Sequence, residues 1–128
     1  MNRPPIGSVL VAAICLTALS SANAEPPTSV TSTAKGLALA DAKGMSLYAF
    51  DKDSGGKSAC NGPCAANWPP LRAEASDQAN NNYTIITRDD GSKQWAYKGK
   101  PLYYFVMDAA AGDKKGDGRG MVWHIAKP

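Results

Sequence analysis

Histidine is nearly missing from this chain: His124 is the only one in 128 residues. A copper or zinc site built from imidazole and sulfur therefore starts short of ligands. There is no Cys-x-x-Cys-His, which excludes covalent haem attachment. There is no Gly-x-Ser-x-Gly, which removes the sequence mark of a nucleophile elbow. Glutamate is almost as scarce, with Glu25 and Glu74 the two present. No stretch sustains apolar residues at a 3.6-residue spacing, so long amphipathic helices are not expected. The formal net charge is +3, but lysines and aspartates are interspersed and no basic run tracks a phosphate backbone. Nucleic acid is therefore not an expected partner.

The longest apolar run, Ile6 to Leu19, is too short to span a bilayer. It follows the single charge of Arg3 and precedes Ala22-Asn23-Ala24, small residues at the two positions a signal peptidase reads. Residues 1–24 are expected to be a signal peptide cleaved before Glu25. Cys15 is preceded by Ile14 within that run, a poor lipobox, so a periplasmic or secreted form without lipid is expected. The mature chain then carries no transmembrane span. Residues 25–35, rich in Pro, Ser and Thr, read as a flexible tether.

What the chain does have is itself, twice. Lys98-Gly99, Leu102-Tyr103, Phe105 and Asp108 repeat Lys43-Gly44, Leu47-Tyr48, Phe50 and Asp53 at a constant offset of 55 residues. The same offset carries Trp123 back to Trp68 without a gap. Such self-similarity is the mark of an internal duplication. Residues 36–128 are expected to form one domain of two repeats, 36–71 and 83–128, joined by an Asn- and Ala-rich linker.

The motif residues Tyr48, Phe50, Asp53 and Tyr103, Phe105, Asp108 stand among Cys60-Asn61-Gly62-Pro63-Cys64, Trp68-Pro69-Pro70, Gln94 to Gly99, and Gly112-Asp113 leading to Trp123-His124. This set resembles the bacterial secreted repeat of unknown function family, also described as predicted lipoproteins with a Y-x-[FWY]-x-x-D motif. The resemblance covers roughly residues 34 to 128. It implies a small envelope-facing domain of two repeats and no particular activity.

The local pattern is that of strands. Leu37 to Ala40, Ser46 to Phe50, Tyr83 to Thr87, Gln94 to Tyr97, Leu102 to Val106 and Met121 to Ala126 are β-branched, aromatic or alternating, with turn signals between them. Cys64 to Trp68 reads as one helical turn stopped by Pro69. The expected fold is all-β: two similar antiparallel units packed as a small sandwich or partly open barrel. Neither unit alone buries both faces, which is a physical reason for the duplication. Outside the cytoplasm Cys60 and Cys64 are expected to form a disulfide pinning one loop, the competing reading being a metal or redox pair.

Period-2 alternation sets Tyr48 with Phe50, and Tyr103 with Phe105, on one face. These rings are expected in the core, each phenol reaching one hydrogen-bond partner. Asp53 and Asp108 lie just past the strands, where a carboxylate accepts from loop amides; the indoles of Trp68 and Trp123 are the matching donors by repeat position. Asp51-Lys52-Asp53-Ser54-Gly55-Gly56 echoes the first half of a calcium loop, but the closing Glu position is Gly62. Asp108, Asp113 and Asp117 are balanced by Lys114, Lys115 and Arg119. A soft-metal set would need His124 with methionine and cysteine sulfur. No cofactor or bound metal is expected. If the second face is not covered by the other repeat, Trp95, Tyr97 and Tyr104 make an aromatic platform for a protein or an envelope glycan. The functional expectation is an exported non-catalytic envelope module that binds an unidentified partner, the alternative being a periplasmic metal-handling or redox protein.

Overall fold

The computed structural model describes residues 28–33 and 36–128. The expected signal peptide, residues 1–24, lies outside the described residues. Seven strands run in chain order: β1 Thr28–Thr33, β2 Gly36–Asp41, β3 Tyr48–Phe50, β4 Tyr83–Thr87, β5 Lys93–Tyr97, β6 Lys100–Pro101 and β7 Trp123–Ile125. One short helix, α1 Pro63–Asn67, and a 3-10 turn at Arg119–Met121 complete the described elements. The fold is all-β, with three small antiparallel sheets among the described residues, none of them closed: β1-β2, β3-β7 and β4-β5-β6.

The tether expected over residues 25–35 is corrected in its described part. Thr28–Thr33 is a full strand, in register with β2 from Thr28↔Asp41 to Thr33↔Gly36. Ser and Thr composition suggested a linker, but Thr28, Val30, Thr31 and Thr33 are β-branched and suit a pleated ribbon. The β1-β2 ribbon is the first repeat's copy of β4-β5, since Tyr83 is 55 residues beyond Thr28. The hydroxyls of Thr28 and Tyr83 are hydrogen-bonded to each other, which ties the two ribbons together.

A second correction concerns Leu102 to Val106, which is not a continuous strand. Only Lys100–Pro101 is laddered to β5. Beyond it the backbone turns to the other repeat: Tyr104 N–H donates to Pro69 O at 2.7 Å and Val106 N–H to Asn67 O at 3.0 Å. Pairing across repeats wins over a local meander because it satisfies the backbone of both copies at once.

The repeats interlock by exchanging their last segments. Tyr48 in β3 faces Ile125 in β7. At the matching positions, Tyr103 bridges Pro70. Asp51 N–H donates to Val122 O at 2.8 Å, as Val106 N–H does to Asn67 O. Each repeat is thus completed by the tail of the other.

Alternation then fills two cores. Tyr48, Tyr103, Phe105, Trp68, Trp123, Ile125, Ala38 and Cys60 form one cluster, and Leu39, Leu47, Leu71, Trp95, Leu102 and Ala126 the other. Leu47 and Tyr48 are neighbours in sequence and face opposite cores, as do Leu102 and Tyr103. Each fully buried side chain of this kind contributes about 1.5–3 kcal/mol of transfer free energy. Cys60 and Cys64 are joined as a disulfide with 5.2 Å between their Cα atoms, pinning the start of α1.

Candidate functional site

The repeated motif converges where the two copies meet. Tyr48 OH donates to Asp108 Oδ2 at 2.6 Å. Tyr103 OH donates to Asp53 Oδ2, also at 2.6 Å. The pairs are crossed: each tyrosine binds the aspartate of the other repeat. The indole donors expected from Trp68 and Trp123 are not used; the carboxylates take the phenols instead.

Each aspartate also ties down its own loop. Asp53 Oδ1 accepts Ala59 N–H at 2.6 Å, and Asp108 Oδ1 accepts Lys115 N–H at 2.9 Å. Burial pushes the Asp53 carboxyl above the usual carboxylate range, against the opposing pull of the Tyr103 and Ala59 hydrogen bonds and of Arg88. Burial, reinforced by the bond to Asp108, also raises Tyr48 far above the ordinary phenol value. Tyr103 is raised in the same way by burial and by Asp53. The phenols stay protonated donors throughout the physiological range.

The rings around these pairs repeat the symmetry. Phe50 stacks on Trp123 with centroids 4.1 Å apart, Trp123 on Trp68 at 3.8 Å, and Trp68 on Phe105 at 4.3 Å. Tyr48 meets Trp68 edge-on at 5.3 Å, and Tyr103 meets Trp123 edge-on at 5.1 Å. Offset stacks and edge contacts each add about 0.5–1.5 kcal/mol beyond area burial.

Sequence reasoning missed Arg88, Gln94 and Ser58. Arg88 is 5 % exposed; it donates to Ser58 Oγ at 3.1 Å, Gln94 Oε1 at 2.7 Å and Cys60 O at 2.6 Å. Ser58 in turn is hydrogen-bonded to Tyr103 OH at 2.6 Å. Gln94 reaches Leu102 O at 2.8 Å. Arg88 stands just before the turn Asp89-Asp90-Gly91, where an exposed cation is the ordinary expectation.

The remaining candidates do not converge. His124 Nε2 meets Asp51 Oδ2 at 2.8 Å, an exposed pair. Asp113 accepts Ala109 and Ala110 N–H, and Asp117 accepts Ile125 N–H. Among the described residues no three His, Cys, Asp or Glu side chains gather as a metal set. The platform of Trp95, Tyr97 and Tyr104 is corrected: Trp95 is 5 % exposed inside the second core, and Tyr97 and Tyr104 pack against that core half-buried. Tyr104 OH donates to Asp41 Oδ2 at 2.7 Å, and burial with that bond lifts its phenol as well. Trp95 is thereby withdrawn from the platform, while Tyr97 and Tyr104 keep part of their surface exposed.

Among the described residues open depressions lie near the repeat junction, one of about 180 Å³ beside Phe50, Asp53 and Lys100. Another, of about 360 Å³, is lined by Ala49, Asp51, Tyr97, Lys100 and His124. A third, of about 490 Å³, runs over Trp68, Trp123 and Phe105 beside Met107 and Arg119.

Two all-β repeats, clasped by crossed Tyr–Asp pairs and a four-ring stack, define an internally duplicated module. The chain belongs to the family described as secreted repeat of unknown function, whose model matches residues 29–72 and again 84–127. The two matched stretches are themselves 55 residues apart. No curated protein and no solved structure matches the chain. No helix among the described residues is long and apolar enough to cross a membrane.

Proposed function

We propose that this chain is an exported, non-catalytic module that binds an envelope component. In this reading residues 1–24 are removed, and the domain beginning near Glu25 acts in the periplasm or outside the cell. The observation that carries the reading is the fate of the repeated motif. Tyr48, Tyr103, Asp53 and Asp108 are committed to one another and to loop amides, so the chemistry-bearing residues serve as a clasp. A clasp leaves the exposed surface to do the recognising, and apolar side chains stand out on it at Val106, Met107 and Met121.

Sedimentation of purified protein with isolated cell envelopes tests this. Saturable co-sedimentation is expected, unchanged in Asp53→Asn protein that remains folded. Turnover of an envelope component that Asp53→Asn abolishes would overturn the reading and make the motif catalytic.

A further inference from the structure

The two repeats differ in side chains at a groove of about 490 Å³. Its floor is the edge of the Trp68, Trp123 and Phe105 stack. Asn67 and Val122, at matching repeat positions, stand on its two sides. The second repeat then adds Met107, 59 % exposed, where the first repeat has Lys52. One rim is therefore apolar where its copy is charged.

The segment closing the groove holds an uncommon backbone. Met121 has φ 64, a left-handed conformation that disfavours a side chain, and it leaves Met121 85 % exposed. The turn is fixed by Gly118 N–H to Trp123 O at 2.7 Å and Met121 N–H to Gly118 O at 3.0 Å. Arg119 rises from this turn. Its Nε donates to Lys115 O at 3.2 Å and its guanidinium sits 4.9 Å from the Phe105 ring centre. Among the described residues nothing takes its two terminal nitrogens. Asp113 and Asp117 do not line the groove; their carboxylates accept backbone N–H groups nearby. A positioned fork of donors thus stands at the end of an apolar trough.

We propose that this groove binds a small monoanionic amphiphile, an apolar chain or ring bearing one carboxylate or phosphate. The apolar body lies on the aromatic edges and against Met107, whose flexible thioether adapts to irregular shapes. The anionic head takes the terminal nitrogens of Arg119, whose geometry suits a bidentate oxyanion. The inference rests on the binding-module reading and names its ligand class.

Trp68 and Trp123 lie in the groove and Trp95 in the other core, so intrinsic fluorescence reports occupancy. The probes are sodium decanoate below its micelle concentration, decanol and decyltrimethylammonium. Decanoate should bind saturably. Arg119→Gln should weaken it about tenfold or more, the loss of one charge-assisted contact. Met107→Ser, which removes the apolar contact without adding a charge, should weaken it severalfold. Equal binding of decyltrimethylammonium, or decanoate binding indifferent to both substitutions, would overturn the inference. Phosphatidylglycerol vesicles distinguish the source. Vesicle binding that needs Arg119 and Met107 supports a membrane lipid, and decanoate binding without vesicle binding supports a free amphiphile. Envelope co-sedimentation that survives while decanoate fails to bind would remove this ligand class and leave the binding module standing; loss of both would remove both.

Discussion

Tyr48 and Tyr103 hydrogen-bond to each other through their backbones, Tyr48 N–H to Tyr103 O at 2.8 Å and Tyr103 N–H to Tyr48 O at 3.0 Å. They occupy the same position of the two repeats, so the pseudo-twofold axis passes between them. Three contacts across that axis follow the symmetry: the crossed carboxylates, the Trp68–Trp123 stack and the exchanged tail segments.

The crossed clasp sets the first prediction. Tyr103→Phe removes the phenol from which Asp53 accepts and leaves that half-buried carboxyl with one donor fewer. A loss of about 1.5–3 kcal/mol is expected, the range for hydrogen bonds to charged groups. Tyr48→Phe should cost a similar amount through Asp108. Urea unfolding of the single and double variants measures both terms; a change below about 0.5 kcal/mol in either would mean that the clasp contributes little.

Asp53 predicts a pH dependence of unusual sign for a carboxylate. Burial raises its folded-state pKa, so the folded protein holds that proton more tightly than the unfolded chain. Its contribution is fully present below the unfolded value, about 3.9, and is lost as pH rises through the folded value. Asp113 behaves oppositely: the Ala109 and Ala110 amides lower its pKa, so its contribution is lost as pH falls through the folded value. Thermal melts from acid to neutral pH should show Asp53→Asn with less loss of stability on raising the pH than the parent. An unchanged pH profile would contradict the assignment.

Gly116 is a third point of leverage. A Cβ there would lie 2.6 and 2.8 Å from two carbons of the Trp68 ring and 3.0 Å from Phe105. Its N–H also donates to Tyr48 OH at 3.2 Å. Gly116→Ala should therefore destabilise by about 1–3 kcal/mol through overpacking against the stack. A Tm equal to the parent's would show that the stack yields easily.

Phe50 and Phe105 are equivalent by repeat and unequal by burial. Phe105 is 6 % exposed within the first core, whereas Phe50 packs against it only partly buried. Phe105→Ala should cost about 3–5 kcal/mol, the usual range for a buried phenylalanine, and Phe50→Ala clearly less. Chemical denaturation of both variants decides this, and equal losses would refute the asymmetry.

Reduction of the Cys60–Cys64 disulfide should leave the domain folded. A loop this short contributes about 2 kcal/mol of chain entropy, a fraction of a domain's typical 5–15 kcal/mol. A cooperative melt that persists in reductant, shifted downward, is the expected result; its disappearance would show that the Arg88–Cys60 region depends on the bridge.

The architecture was legible because duplication writes itself into the residue order. The offset between Tyr48 and Tyr103 marked the equivalent positions, and alternation at Leu47-Tyr48 marked opposite faces. Extending that offset upstream would also have found β1, since Thr28, Ser29 and Gly36 align with Tyr83, Thr84 and Gly91. Composition drew attention away from it. The exchange of tails was not legible, because residue spacing is the same whether a segment completes its own repeat or the other. For the same reason the donors to Asp53 and Asp108 were assigned to indoles, when partners from the opposite repeat were closer. Arg88 escaped because its burial depends on Ser58, Gln94 and a carbonyl that meet it only in three dimensions.

The exchanged segments have a further consequence. A single copy cut free would expose the surface its missing tail should cover and would bury an acid without its donor. Such a half could persist only by finding a second half, at a strength set by its concentration. Covalent linkage turns that encounter into a unimolecular one and frees the pairing from dilution. On dilution a dimer of separate halves would fall apart, and the tandem chain does not. The linkage also lets each half change by itself, and so allows Met107 in the second repeat where the first has Lys52.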